Sequence, residues 1–375
     1  MTMWQDIRIQ SLFGIELPIL QAPMAGASTL EMCIAVSEAG GLGALPCAMQ
    51  TPDQVRRALG SIAAATRKPI NLNFFCHTPP VPDEEREENW KKRLTPYYIE
   101  HGLHPIGTTP SSARAPFDDT YCRLVEEFRP GVVSFHFGLP QKDLMTRVKA
   151  TGAKIIASAT TVAEARVLET RGCDAIIAQG FEAGGHRGNF IGDNMAGQVG
   201  TFALVPQIAD AVRVPVIASG GIADARGIVA AFALGAAAVQ IGTAYLFCPE
   251  AKLTPFHRQA LRTANADDTM ITNVFTGRPA RGIVNRLMRD VGPLSEHAPA
   301  FPLAGGALMP LRQKTEPANI SDFSSMWAGQ ASRLGREMPA GDLTRTLAAE
   351  ALAKLSTETG TEVRDSEAPV QAGTQ

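Results

Sequence analysis

Between Ala178 and Gly188 the chain reads AQGFEAGGHRG, which puts Gln179, Glu182 and His186 among glycines at 180, 184, 185 and 188. Glycine lets a backbone approach a ligand closely. A histidine beside it offers a proton acceptor at neutral pH. A second histidine, His136, ends the apolar run VVSFHFG. His136, His186 and Glu182 lack the tight spacing of a metal site, so acid–base or anion chemistry is the better reading. His77, His101, His104, His257 and His297 sit in loop-like or exposed contexts and are not assigned a role.

Other segments suit a ligand with a phosphate and a flat polar ring. Ser219-Gly220-Gly221 and Gln240-Ile241-Gly242-Thr243 each precede helix-forming sequence. Glycines there expose amides at a helix N-terminus, where phosphate binds well. Gln21-Ala22-Pro23-Met24-Ala25-Gly26 has no ionisable group. It suits backbone contacts to a ring system, with Met24 as soft apolar cover. Asn73 and Gln179 each donate and accept, as a ring with alternating carbonyl and N–H groups requires.

These groups need a scaffold that brings strand ends together. Apolar runs at Pro18–Leu20, Leu42–Leu45 and Ile70–Phe75 are followed by runs ending near His136, Ser158, Gln179, Ser219 and Ile241. The last five ends lie roughly 20 residues apart, the length of a strand, a helix and two loops. The exception is the gap of about 40 residues after Gln179, which holds the glycine loop. Helical stretches lie between the runs: Thr29 to Glu38 before Gly40-Gly41, one opened by Thr51-Pro52-Asp53, Thr161 to Arg171, and Asp224 to Leu234. Their caps and glycine stops are the expected signals. Eight strand–helix repeats predict an α/β fold, a (β/α)8 TIM barrel whose chemistry sits at the strand C-termini.

Residues 1–250 are read as the barrel, with an insertion at about 76–115, after the third strand, that partly covers one mouth. Residues 251–355 are read as a substrate-side segment and helical appendix, with Trp327, Leu334 and Leu347 to Leu355 as its apolar contacts. The polar tail 356–375 is expected to be disordered.

The charge balance of 35 basic and 37 acidic residues gives no electrostatic reason to expect nucleic acid or an anionic membrane as partner. No apolar run approaches the ~18 residues of a membrane span. The first residues lack a signal-peptide pattern. Six scattered cysteines without a CxxC pair predict a cytoplasmic protein without disulfides or structural zinc.

The motifs QAPMAG, VVSFHFG, AQGFEAGGHRG and ASGGI…ALGAAAVQIGT, in this order, resemble those of the nitronate monooxygenase family, formerly the 2-nitropropane dioxygenases. The VVSFHFG and EAGGHRG pair is similar to class I members. The resemblance runs from about Pro18 to Thr243, more loosely beyond. It implies an FMN enzyme that needs no nicotinamide and oxidises alkyl nitronates, propionate 3-nitronate among them, with dioxygen to carbonyl compounds and nitrite. It implies FMN contacts at Ala22, Pro23, Met24, Asn73, Gln179, Gly184, Gly221, Gln240, Ile241, Gly242 and Thr243. His186 matches the catalytic histidine, as a base or an anion-binding group, and His136 a substrate-side histidine. Its partners would be small molecules only, with the chain a monomer or homodimer. One departure is Phe301, in a stretch where relatives often carry tyrosines at the substrate mouth. The same ring and phosphate motifs would serve the alternative, an FMN-dependent NAD(P)H enoyl or quinone reductase.

Overall fold

Runs rich in valine, isoleucine and alanine become strands that are buried on both faces, as a parallel sheet lined by helices requires. A computed structural model describes residues 4–104 and 114–361. Its strands are β1 (Ile19–Gln21), β2 (Gly43–Pro46), β3 (Ile70–Phe75), β4 (Val132–His136), β5 (Lys154–Ala159), β6 (Ala175–Gln179), β7 (Gly185–His186), β8 (Val216–Ser219), β9 (Ala238–Ile241), β10 (Thr269–Thr272) and β11 (Ala280–Ile283). Eight of them pair in parallel in the order β1-β9-β8-β6-β5-β4-β3-β2. The ring closes between β1 and β2 through a parallel bridge, Leu20 to Leu42. Gln21 reinforces that seam, its Oε1 accepting from the Ala44 amide at 2.8 Å. This is the expected (β/α)8 barrel.

Period-two alternation sorts the strand residues. Leu72, Phe74, Val133, Phe135, Ile176, Ala178, Val239 and Ile241 face out into the shell packed against the helices. Leu20, Val132, Ile156, Ile177 and Ile217 face in and pack with Ile9 and Phe13 of the helix Arg8–Phe13. That helix plugs the N-terminal end of the barrel and leaves the C-terminal end for ligands.

Two features depart from the sequence reading. The glycine loop holds a strand: β7 pairs antiparallel with β11, which pairs with β10, in a separate three-stranded sheet. The helix near the C-terminus is Ala340–Thr361, which runs past the expected end of the helical appendix at 355. It packs on the helices Leu30–Glu38 and Ala225–Ala233 through buried Leu343, Leu347 and Ala351. Trp327 lies apart from it, and Leu334 is 39% exposed. The tail expected to be disordered lies, from 362 on, outside the described residues.

Within 76–115 the helix Glu84–Glu100 is capped by Asp83. Its Trp90, Leu94, Tyr97 and Tyr98 pack with Val274, Phe275, Leu287 and Phe323. Trp90 Nε1 donates to the Ala304 carbonyl at 3.1 Å and the Tyr98 hydroxyl to the Ala307 carbonyl at 2.7 Å. The insertion therefore docks on the segment after the barrel; residues 105–113 are not described.

Candidate active site

The strand C-termini surround a cavity of about 350 Å³. Ala22, Pro23 and Met24 line it from the end of β1, and Asn73 from β3. His136 ends β4 and Gln179 ends β6, and both reach it. Gly184 and His186 come from the glycine loop, Gly221 from the turn after β8, and Gln240, Gly242 and Thr243 from β9 and beyond. Ile241 is the exception. It is fully buried on the outward face, and only its carbonyl points back, accepting from the Ala22 amide at 2.8 Å. The alternation that carries Gln240 inward must carry its neighbour outward.

His136 and Gln179 converge on one atom, the backbone carbonyl oxygen of His186. His136 Nε2 lies 3.2 Å from it and Gln179 Nε2 donates to it at 3.0 Å. Gln179 Oε1 also accepts from the Gly188 amide at 2.7 Å. A carbonyl only accepts, so His136 carries its proton on Nε2. Its Nδ1 then accepts from the Ser158 hydroxyl at 3.0 Å. Both nitrogens of His136 are spent within the protein. Burial, aided by Arg278 and Arg187, pushes its pKa down to about 3, against the bond to His186. Gly188 is required here, since a Cβ would sit 2.9 Å from His136 Cε1 and 2.9 Å from Ser158 Cβ.

The His186 ring is held differently. Its Nε2 lies 3.0 Å from Thr276 Oγ1, while Nδ1 has no hydrogen-bond partner among the described residues. Phe301 meets its ring at 5.4 Å between centroids, Trp327 at 5.5 Å and Phe137 at 5.9 Å. Burial holds its pKa well below the usual histidine range, and Arg114, His136, Arg278 and His77 push the same way. His186 is a neutral imidazole at physiological pH.

Several cations stand behind it. Arg187 is fully buried. Its Nη1 donates to the Gly180 carbonyl, and Nη2 to the Gln179 carbonyl and Gln198 Oε1. Burial pushes its pKa down to about 10, which leaves it charged near neutrality. Arg278 lies over the Phe137 ring, 4.1 Å from its centroid, and donates to the Asn189 carbonyl. Arg281 and Arg187 flank Phe181 at 4.8 and 5.8 Å. Arg187, Arg278 and Arg281 form no contact ion pair among the described residues, and Glu182, Glu164 and Asp193 act on them only at longer range.

The expected ring ligand is testable on an orphan. Gln240 Oε1 is buried without a hydrogen-bond partner, and Gln240 lines the cavity. A buried acceptor left unpaired is costly. An aromatic ligand bearing ring N–H groups would satisfy it. Gly220 and Gly221 take left-handed φ values of 117° and 70°, which opens the turn after β8. Glu182, weighed as a metal ligand, instead accepts from the Thr201 amide and hydroxyl at the start of the helix Thr201–Ala211.

His77 and His257, read as exposed, are 7% and 8% exposed. His77 sits edge-on to Phe301 at 4.8 Å, and burial pushes its pKa down to about 4. His257 Nε2 donates to the Trp327 carbonyl at 3.1 Å. Thr276, Arg187 and Arg278 carried no signal in the sequence of their own, and Trp327, read as an apolar contact of the helical appendix, instead packs on His186. Phe301 is packed behind His186 and does not line the cavity.

Residues 7–350 match the family model described as nitronate monooxygenase. The chain is 41% identical over 345 residues to the nitronate monooxygenase of Pseudomonas aeruginosa, covering 92% of this chain and 98% of that one. It is 38% identical over 325 residues to a probable nitronate monooxygenase of Bacillus subtilis, covering 86% and 92%. A solved nitroalkane oxidase from Streptomyces ansochromogenes has a TM-score of 0.85 at 36% identity, covering 94% of this chain and 99% of that one. FabK from Thermotoga maritima has a TM-score of 0.73 at 29% identity, covering 96% and 100%. Among the described residues no helix is long and apolar enough to cross a membrane.

Proposed function

This chain belongs to the nitronate monooxygenase family and is an oxidoreductase of nitronates, and we propose that it binds FMN and uses dioxygen to convert alkyl nitronates, such as propionate 3-nitronate, to carbonyl compounds and nitrite. One observation carries the reading: His186 opens into the same cavity as Gln240, Gly221, Gly242 and Thr243. Chemistry and ring-and-phosphate recognition are thus joined in one space.

When bound, FMN supplies the electron transfer; the protein supplies position and electrostatics. Gly221, Gly242 and Thr243 would hold the phosphate. Ala22, Pro23, Met24, Asn73, Gln179, Gly184 and Gln240 would hold the ring. Gln240 Oε1 would take a ring N–H, and Gln179 keeps one amide hydrogen beyond those that pin the loop.

The substrate is an anion. Arg114 and Arg278 push His186 toward neutrality, and the same field attracts a nitronate. The phenylalanines and Trp327 around His186 exclude water and strengthen that attraction. His136, Gln179 and Ser158 fix the backbone of His186. A neutral His186 accepts a hydrogen bond, or the α-proton of a nitroalkane.

The test is the visible spectrum of the purified protein with oxygen consumption alongside. A yellow protein that releases FMN on heating and takes up oxygen with a nitronate is expected. A colourless protein that cannot take up FMN would sink the proposal.

A further inference from the structure

His186 has two tautomers with opposite uses. With the proton on Nδ1 it donates toward a ligand; with the proton on Nε2 it accepts. The hydroxyl beside it decides between them. Thr276 is 2% exposed, so its hydroxyl must find partners inside the protein. It has three candidates: His186 Nε2 at 3.0 Å, the Arg278 carbonyl at 3.3 Å and the Arg278 amide at 3.4 Å.

A hydroxyl offers one proton and two lone pairs. The Arg278 amide can only donate, so it takes one lone pair. If the proton goes to the Arg278 carbonyl, the second lone pair accepts from His186 Nε2–H, and all three contacts are satisfied. Only the Nδ1 lone pair then lacks a partner within the described residues. If the proton goes to His186 Nε2 instead, two acceptors face each other at 3.3 Å. An Nδ1–H is then left with no acceptor as well. Thr276 is buried and Nδ1 faces the cavity, so the clash of acceptors at the Arg278 carbonyl decides, and the first arrangement wins.

Resting on the proposed function for its catalytic meaning, we infer that Thr276 is a positioning residue that fixes His186 as the Nε2–H tautomer and leaves Nδ1 as a bare acceptor in the cavity. The backbone prepares this. Arg187 N donates to the Pro279 carbonyl, and β7 pairs His186 with Ala280, so the loop and the Thr276 turn share one register. Gly277 follows at φ 88°, where a Cβ would lie 2.0 Å from the Pro299 carbonyl. That close passage leads into Phe301, which packs on the His186 ring.

With a neutral nitroalkane bound, the α C–H bond breaks and an Nδ1–H bond forms. The C–H electron pair passes into the nitro group, giving the nitronate that is then oxidised. The imidazolium keeps its Nε2–H on Thr276 and returns the Nδ1 proton to solvent. A preformed nitronate skips this step. Thr276 therefore separates two substrate forms.

The test uses the flavin-loaded protein labelled with ¹⁵N-histidine. Comparison with His186→Gln identifies the His186 signals by NMR. Wild type and Thr276→Ser should show Nδ1 as an unprotonated imidazole nitrogen and Nε2 as protonated. Thr276→Val should lose the fixed tautomer, with both signals moving toward the average. In turnover, Thr276→Val should lower kcat/KM for a neutral nitroalkane by about 10-fold or more, within the range of a lost general base. Preformed nitronate should lose less than about threefold, and Thr276→Ser should restore the nitroalkane rate. An Nδ1–H in wild type, or an unchanged tautomer in Thr276→Val, overturns the inference. The wild-type spectrum alone decides if the valine variant does not fold. A protein with the expected tautomer but no nitronate turnover would defeat the functional reading and leave the tautomer assignment standing. Nitronate turnover with a protonated Nδ1 would do the reverse.

Discussion

His136 Nε2 lies 3.2 Å from the backbone carbonyl oxygen of His186, and that contact ties the two strand-end histidines into one unit. Since His136 Nδ1 is taken by Ser158, His136 has no nitrogen left for a substrate without breaking a bond inside the protein. Its place is better suited to aligning His186. His136→Ala should lower kcat for a nitronate by roughly 10-fold or more, the scale expected when a reacting group is misplaced. KM should change by less than about threefold. A variant with raised KM and unchanged kcat would instead make His136 a direct substrate contact.

Gly188→Ala probes the same unit from the backbone side. The added Cβ would meet His136 Cε1 and Ser158 Cβ at 2.9 Å each. Both belong to strand-borne side chains that cannot swing away, so the loop must shift. Overpacking of this kind costs typically 1–3 kcal/mol. Thermal unfolding should report that loss, and kcat should fall while the flavin stays bound. An unchanged melting temperature would mean that the loop yields freely.

Gln179 is the stiffest test of the loop. Its amide accepts from the Gly188 amide and donates to the His186 carbonyl. Gln179→Leu leaves a buried N–H unpaired, at about 1–3 kcal/mol. It also removes a proposed flavin contact. Both stability and FMN affinity should fall, whereas Gln179→Glu should keep the Gly188 bond and lose the donor. Equal FMN affinity in the leucine variant would remove Gln179 from the set of flavin contacts.

Alternation within strands made much of this legible in advance. Asn73 and Gln179 stand out as amides in or at the end of apolar runs and Gln240 as the start of a glycine-bearing turn, and all three line the cavity. The same rule, applied residue by residue, would have turned Ile241 outward. The pairing of Gly185–His186 with Ala280–Arg281 could not be read. A two-residue strand has no periodicity, and its partner lies almost a hundred residues away. His77 looked exposed because prolines and charges surround it, yet the segment folds back and buries it at 7% exposure. Arg187 is fully buried although nothing in the sequence marks it so. Its carbonyl and Gln198 partners are brought together only by the tertiary fold.

Stability should depend on acid through the buried histidines. Burial pushes His136 down to about 3, and His77 and His257 to about 4. Each stays neutral in the folded state while its unfolded counterpart protonates below about 6.5. Between those values the unfolded chain binds more protons, so stability falls as pH drops. Each histidine contributes up to about 1.4 kcal/mol per pH unit across its window. Denaturant midpoints from pH 7 to pH 4.5 should fall steadily, and more gently in His257→Gln. A flat profile would mean that these side chains protonate without unfolding the protein.

The nicotinamide-dependent alternative makes the opposite forecast in one experiment. FabK from Thermotoga maritima resembles this chain at a TM-score of 0.73, so the barrel alone does not separate the readings. The polar environment does. A nitronate is a small anion that fits beside the neutral His186 in a cavity also lined by Arg114. Under anaerobic conditions, adding a nitronate to the yellow protein should change the flavin spectrum within the dead time of hand mixing. NADH or NADPH at the same concentration should leave it unchanged over minutes. Rapid bleaching by either nucleotide would favour a reductase, with His186 then serving a proton donor or acceptor role on a different substrate.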